Sequence, residues 1–137
     1  MTRGFRVAFL ILTWAYLAGI VVQVFLAGTG FFGADRDFEP HRSLGWILHV
    51  GPVLLLIVAA IGRVGSRTIW WNVALLLTVG VQPILPGLRN DVPLAAALHP
   101  VLALVIFWLT LTVGTQAWQL VRGQAAGPTS RTTPSMN

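Results

Sequence analysis

Four long apolar stretches constrain this chain more than any other feature of its sequence. They span residues 7–28, 43–61, 68–85 and 94–121 approximately, and none of them contains Asp, Glu, Lys or Arg. A helix needs about 20 apolar residues to cross the hydrocarbon core of a bilayer. A transmembrane barrel would instead show short strands with alternating apolar and polar residues. The sequence therefore predicts an all-α membrane protein with four transmembrane helices.

The composition supports this fold class and excludes several kinds of site. Only 9% of the 137 residues are charged, whereas a soluble domain usually carries about 25%. The chain has no cysteine, which excludes disulfides, thiolate metal sites and iron–sulfur clusters. All nine basic residues are arginines that lie singly or in pairs at the ends of apolar stretches. This distribution is typical of contact with lipid headgroups, and we expect no nucleic acid partner.

The arginines also predict the orientation of the chain. Six of them lie on the side of the membrane that holds both chain ends: Arg3, Arg6, Arg63, Arg67, Arg122 and Arg131. Because basic residues are enriched in cytoplasmic segments, we expect a multi-pass protein of the cell (inner or plasma) membrane with both termini in the cytoplasm. Residues 1–122 form the predicted transmembrane domain, and residues 123–137 are predicted to be a disordered cytoplasmic tail.

The two predicted helical hairpins resemble each other. The first contains Gln23 in a Q-x-x-L-x-G pattern and then His41 in an H-x-x-L-small pattern. The second repeats both patterns around Gln82 and His99. Gln and His are uncommon in membrane spans, so their matched order carries most of the weight. The short loops favour antiparallel neighbours, and the repeat predicts a pseudo-two-fold, antiparallel four-helix bundle.

Histidines within membrane spans are candidate functional residues. His41 and His99 are predicted near the outer ends of helices two and four, where two imidazoles from facing helices can hold one haem iron. Gly45 and Ala103 each follow a histidine by four positions, on the same helix face. Small residues there would let a porphyrin approach both helices. The pattern predicts one haem b between His41 and His99.

Five polar residues could support such a haem. Arg42 could pair with a propionate at the outer surface, as could Arg36 or Arg89. Gln23 and Gln82 could bond to a propionate, to a ligand imidazole or to each other. The runner-up ligand is His49, which lies eight residues after His41 and therefore about 12 Å deeper in the helix. A packed, hydrogen-bonded His49 is the expected arrangement, because a second haem would need a fourth histidine.

The residues around the two histidines carry a resemblance to known families. Phe38 to Gly45 read F-x-x-H-x-x-L-G, and Ala97 to Pro100 read A-L-H-P. With these motifs the chain resembles a family of small, uncharacterised four-span bacterial membrane proteins. The bundle also resembles the haem-binding half of haem A synthase and, more loosely, other four-helix b-type cytochromes. The resemblance implies the bundle and the ligand pair, but not synthase activity, because Glu39 lies only two positions before His41.

Three functions remain open from the sequence. The first is electron transfer by a cytochrome-like protein, with a redox partner or quinone, as a homo-oligomer or as a subunit of a larger complex. The second is a cofactor-free accessory or structural membrane subunit. The third is a metal-dependent enzyme in which His41, His99 and either Glu39 or Asp37 hold zinc at the outer surface. The sequence favours an electron-transfer or accessory protein over a catalyst.

Overall fold

A computed structural model describes residues 2–125 of the chain. All regular structure in this part is helical, and four of its helical segments are long and apolar enough to cross a membrane. The helices are α1 (Thr2–Phe32), α2 (Glu39–Gly62), α3 (Ser66–Val81), α4 (Ile84–Gly87), α5 (Pro93–Ala96) and α6 (Leu98–Ala125). The chain is therefore an all-α, multi-pass membrane protein, as the apolar stretches predicted.

The four long helices form an antiparallel bundle. Helix α1 packs against α2 and α6, and α3 packs against the same two helices, so α2 and α6 lie on a diagonal of the bundle. Arg6 ties the beginning of α1 to the end of α2, because its guanidinium donates to the carbonyls of Gly62 (2.8 Å) and Arg63 (2.9 Å). We call this end, which holds the start of α1, the α2–α3 turn and the last turns of α6, the terminal end.

Proline and glycine set the breaks between helices. Pro40 lies in the first turn of α2 and Pro93 begins α5, where a missing N–H costs no helical hydrogen bond. Helix α3 ends at Val81, and the short helix α4 begins directly after Pro83 and contains Pro86.

Most helix ends extend beyond the apolar stretches that predicted the helices. Helix α1 extends from Thr2 to Phe32, beyond residues 7–28. Helix α6 continues to Ala125, so the first three residues of the predicted disordered tail are helical. A helix continues into the headgroup region because its backbone hydrogen bonds are satisfied internally wherever it lies. The rest of the predicted tail, residues 126–137, lies outside the described residues.

The tightest packing lies toward the terminal end. Phe9, Leu55, Leu75 and Val113 are the largest apolar side chains that are fully buried, and each comes from a different long helix. Many large apolar side chains cover the outside of the bundle, including Trp46, which is 67% exposed. Such an exterior suits a bundle surrounded by lipid. The opposite end, which holds the histidine pair, has few fully buried apolar side chains.

Candidate functional site

The histidine end of the bundle is the end opposite the terminal end, where α2 and α6 begin. His41 lies in the first turn of α2 and packs against α1. Its Nδ1 lies 3.0 Å from the backbone oxygen of Gln23. In return, the side-chain amide of Gln23 donates to the backbone oxygen of His41 at 2.7 Å. This reciprocal pair of hydrogen bonds fixes both the helix contact and the orientation of the imidazole.

His99 repeats the Nδ1 contact in the second hairpin. It lies in the first turn of α6, and its Nδ1 lies 3.1 Å from the backbone oxygen of Gln82 near the end of α3. The two histidines therefore make the same contact with the preceding long helix of their own hairpin. The matched contacts agree with the pseudo-two-fold relation that the Gln and His motifs predicted.

These contacts define the tautomer of each ring. A backbone carbonyl can only accept a hydrogen bond, so Nδ1 of His41 and of His99 must carry the proton. Nε2 of each neutral ring then has a free lone pair. Neither Nε2 atom has a hydrogen-bond partner among the described residues. Metal-binding histidines commonly show this pattern, in which one ring N–H donates to a backbone carbonyl and the other nitrogen is the ligand.

The two rings meet across the diagonal of the bundle. The ring centroids of His41 and His99 are 6.2 Å apart, and the ring planes are inclined by 73°. Two such rings cannot satisfy each other by hydrogen bonding, because both free nitrogens are acceptors. Each Nε2 can accept a hydrogen bond from a donor such as water, or it can coordinate a metal ion.

The side chain of Gln23 packs against the first turns of α2. A Cβ atom at Gly45 would lie 2.9 Å from Nε2 of Gln23, so the close approach at this glycine is made by the Gln23 amide. The side-chain oxygens of Gln23 and Gln82 are buried and have no partner among the described residues. Ala103 is half-buried, one turn after His99. The two Gln residues thus hold the imidazoles through their backbone oxygens. In the sequence, the matched Gln and His motifs of the two hairpins indicate this contact.

The charged residues near the pair are engaged with one another. Arg42 donates twice to Glu39, with a shortest distance of 2.8 Å, and Ser43 also donates to Glu39. Arg42 therefore pairs with a carboxylate of its own helix at the exposed surface. Within residues 2–125 no three His, Cys, Asp or Glu side chains come together as a metal site. The zinc site predicted from two histidines and a carboxylate is not assembled.

His49 is separate from this pair. Its Nδ1 lies 2.7 Å from the backbone oxygen of Gly45, one turn earlier in α2, and its ring contacts Trp46 with centroids 5.5 Å apart. Its Nε2 is buried and has no partner among the described residues. His49 is thus hydrogen-bonded within its own helix, as expected for a packed residue.

Comparison with known proteins adds little to this geometry. A family of unknown function (DUF6220) matches residues 23–87. The match covers just under half of the chain and contains Gln23, His41 and Gln82, but it ends before His99. No curated protein and no solved structure matches the chain.

Proposed function

We propose that the protein is a small b-type cytochrome that holds one haem between His41 and His99. The observation that carries the proposal is the symmetric pair of imidazoles, each held at Nδ1 by a Gln backbone oxygen and free at Nε2. When bound, haem supplies one-electron redox chemistry. With both His41 and His99 as ligands, a bound haem would have no position left for a substrate, so electron transfer is the expected activity.

The spacing of the rings supports this choice of ligands. A metal ion lies about 2.0–2.1 Å from a coordinating imidazole nitrogen, and that nitrogen lies roughly 1.1 Å from the ring centroid. Two imidazoles on opposite sides of one metal therefore have centroids roughly 6.3 Å apart. The 6.2 Å separation of the His41 and His99 ring centroids is close to this value, and it is also a usual distance for two rings in edge-to-face contact.

The surroundings of the pair also favour a bound group. The side-chain oxygens of Gln23 and Gln82 are buried acceptors with no partner among the described residues, and an unpaired buried acceptor costs about 1–3 kcal/mol. A ligand with N–H or O–H donor groups, or a bound water molecule, would satisfy them. The Gln23 amide lies over Gly45, so haem binding requires this flexible side chain to move aside from that part of α2.

The proposed orientation places the haem near the outer face of the cell membrane and the terminal end in the cytoplasm. The arginine distribution supports this orientation. One haem at one face does not span the bilayer, so electron transfer requires a partner at that face, either a quinol or another redox protein. A homo-oligomer or a larger redox complex would supply such a partner.

An absorption spectrum of the purified full-length protein, produced with ample haem, tests the proposal. We expect a Soret band with the low-spin features of two nitrogen ligands in the wild type and in His49→Ala. We expect its loss in His41→Ala and in His99→Ala, with partial recovery when free imidazole is added. Recovery by imidazole identifies a missing ligand, because a merely structural histidine would not be replaced in this way.

Circular dichroism and gel filtration of each variant check that the bundle is intact. A wild-type protein without a Soret band would overturn the proposal and favour the cofactor-free accessory subunit. Loss of the band in His49→Ala, together with its retention in His41→Ala, would instead assign the ligands to His49 and His99.

A further inference from the structure

A second site lies at the terminal end, far from the histidine pair. A groove of about 350 Å³ runs between α3 and α6. Its polar lining consists of Arg67, Thr68, Gln116 and Gln119, and its apolar lining of Val64 and Leu120. Thr68 donates to the side-chain oxygen of Gln116 at 2.8 Å, which holds the two walls together. Arg67 and Gln119 are exposed and free to turn toward a ligand in the groove.

Among the described residues, no acidic side chain lies at this end of the bundle. The four acidic side chains are those of Asp35, Asp37, Glu39 and Asp91, and all of them belong to the histidine end. Among the described residues the only ion pair joins Arg42 to Glu39, also at the histidine end. Arg67 is therefore an exposed cation with no acidic partner among the described residues. An anionic group in the groove would pair with its guanidinium.

A neighbouring groove with an aromatic lining favours a lipid as the ligand of this surface. A second groove, of about 480 Å³, lies between α1 and α6 and is lined by Trp14, Thr115, Trp118 and Gln119. Gln119 lines both grooves, so the polar and the aromatic surfaces are continuous across the exposed side of α6. The guanidinium of Arg122 lies over the Trp118 ring at 5.8 Å, which adds a second cation at the same level.

We infer that this surface binds an anionic phospholipid, independently of any haem. The phosphate contacts Arg67 and the side-chain amides of Gln116 and Gln119, with Arg122 nearby. One acyl chain lies against Trp14 and Trp118. Basic grooves between transmembrane helices suit anionic headgroups, because the charge attracts the phosphate while the adjacent apolar surface accepts the hydrocarbon. A free phosphate ion would use only the polar half of this surface.

Lipid binding to the full-length protein in detergent tests the inference by native mass spectrometry. The probes are phosphatidylglycerol, zwitterionic phosphatidylcholine and inorganic phosphate. We expect phosphatidylglycerol to bind in preference to phosphatidylcholine. One arginine near a membrane surface is worth about a fivefold change in affinity, so Arg67→Gln should weaken phosphatidylglycerol binding about fivefold. Gln119→Leu should weaken it too, although it changes no charge.

Arg3→Gln is the matched control, because Arg3 lies at the same end of the bundle but outside the groove. We expect it to leave phosphatidylglycerol binding nearly unchanged. Equal losses in Arg3→Gln and Arg67→Gln would overturn the inference in favour of a diffuse surface charge. Equal binding of the two lipids would also overturn it, as would complete displacement of the lipid by millimolar inorganic phosphate.

Discussion

Replacing Gly45 by Ala separates the Gln23–His41 contact from ordinary helix packing. The added Cβ would lie 2.9 Å from Nε2 of Gln23, whereas non-bonded heavy atoms prefer about 3.5–4.0 Å. The amide must therefore retreat by roughly 0.6–1 Å. Its hydrogen bond to the backbone oxygen of His41, now 2.7 Å, would then exceed the usual limit of about 3.2 Å. The change thus removes one interhelical hydrogen bond with little other damage.

The magnitude follows from two opposing terms. Loss of the hydrogen bond costs about 0.5–1.5 kcal/mol. Replacing a helical glycine by alanine returns roughly 0.5–1 kcal/mol. We therefore expect the free energy of unfolding of Gly45→Ala to stay near the wild-type value. Gly80→Ala is the matched control, because a Cβ at Gly80 meets nothing within 4 Å. It should therefore raise the free energy of unfolding by the full 0.5–1 kcal/mol, roughly, of a helical Gly→Ala change.

Unfolding by SDS titration in detergent, followed by circular dichroism, measures both variants. The reasoning requires Gly80→Ala to be more stable than Gly45→Ala by about 0.5–1.5 kcal/mol. If the two variants are equally stable, the amide of Gln23 contributes nothing to the junction of α1 and α2. The reciprocal hydrogen bonds would then not explain how His41 is held.

Two further changes test the packing of the bundle. In Gly51→Ala the new Cβ would collide with the Tyr16 ring, which is only 8% exposed. We therefore expect the free energy of unfolding to fall by about 1–3 kcal/mol in the same SDS titration. Wild-type stability would contradict the packing of α2 on α1. Asn72 is fully buried, and both polar atoms of its side chain lack partners among the described residues. Asn72→Leu should therefore raise the free energy of unfolding by about 1–3 kcal/mol, and a decrease would mean that Asn72 holds a water molecule or another polar partner.

The polar contacts at the histidine end were predictable from the sequence only in part. The matched Gln and His motifs predicted the repeat, and the two hairpins do make the same contact. The atoms that make it were not predicted, because the acceptors are the backbone oxygens of Gln23 and Gln82 and every residue has such an oxygen. Arg42 pairs with Glu39, which lies one turn before it in α2, and its pairing with a propionate stays a prediction.

The sequence did not predict roles for Asn72 and Gln116, because no pattern in it distinguishes them. Each is a single polar residue in an apolar stretch, and no period or motif distinguishes a buried amide from one at the surface. Only the packing shows that Asn72 is buried without partners and that Gln116 accepts a hydrogen bond from Thr68.

The sequence by itself determined that this chain is a four-helix membrane protein. The bilayer makes that inference strong, since a long apolar stretch can satisfy its backbone groups in hydrocarbon only as a helix. Tertiary structure decided which helices lie side by side, and therefore that His41 and His99 meet across a diagonal at 6.2 Å. It also decided which ring nitrogens remain free. Such relations depend on the rotation and register of each helix, which lipid-facing apolar residues leave almost unspecified and interhelical packing fixes.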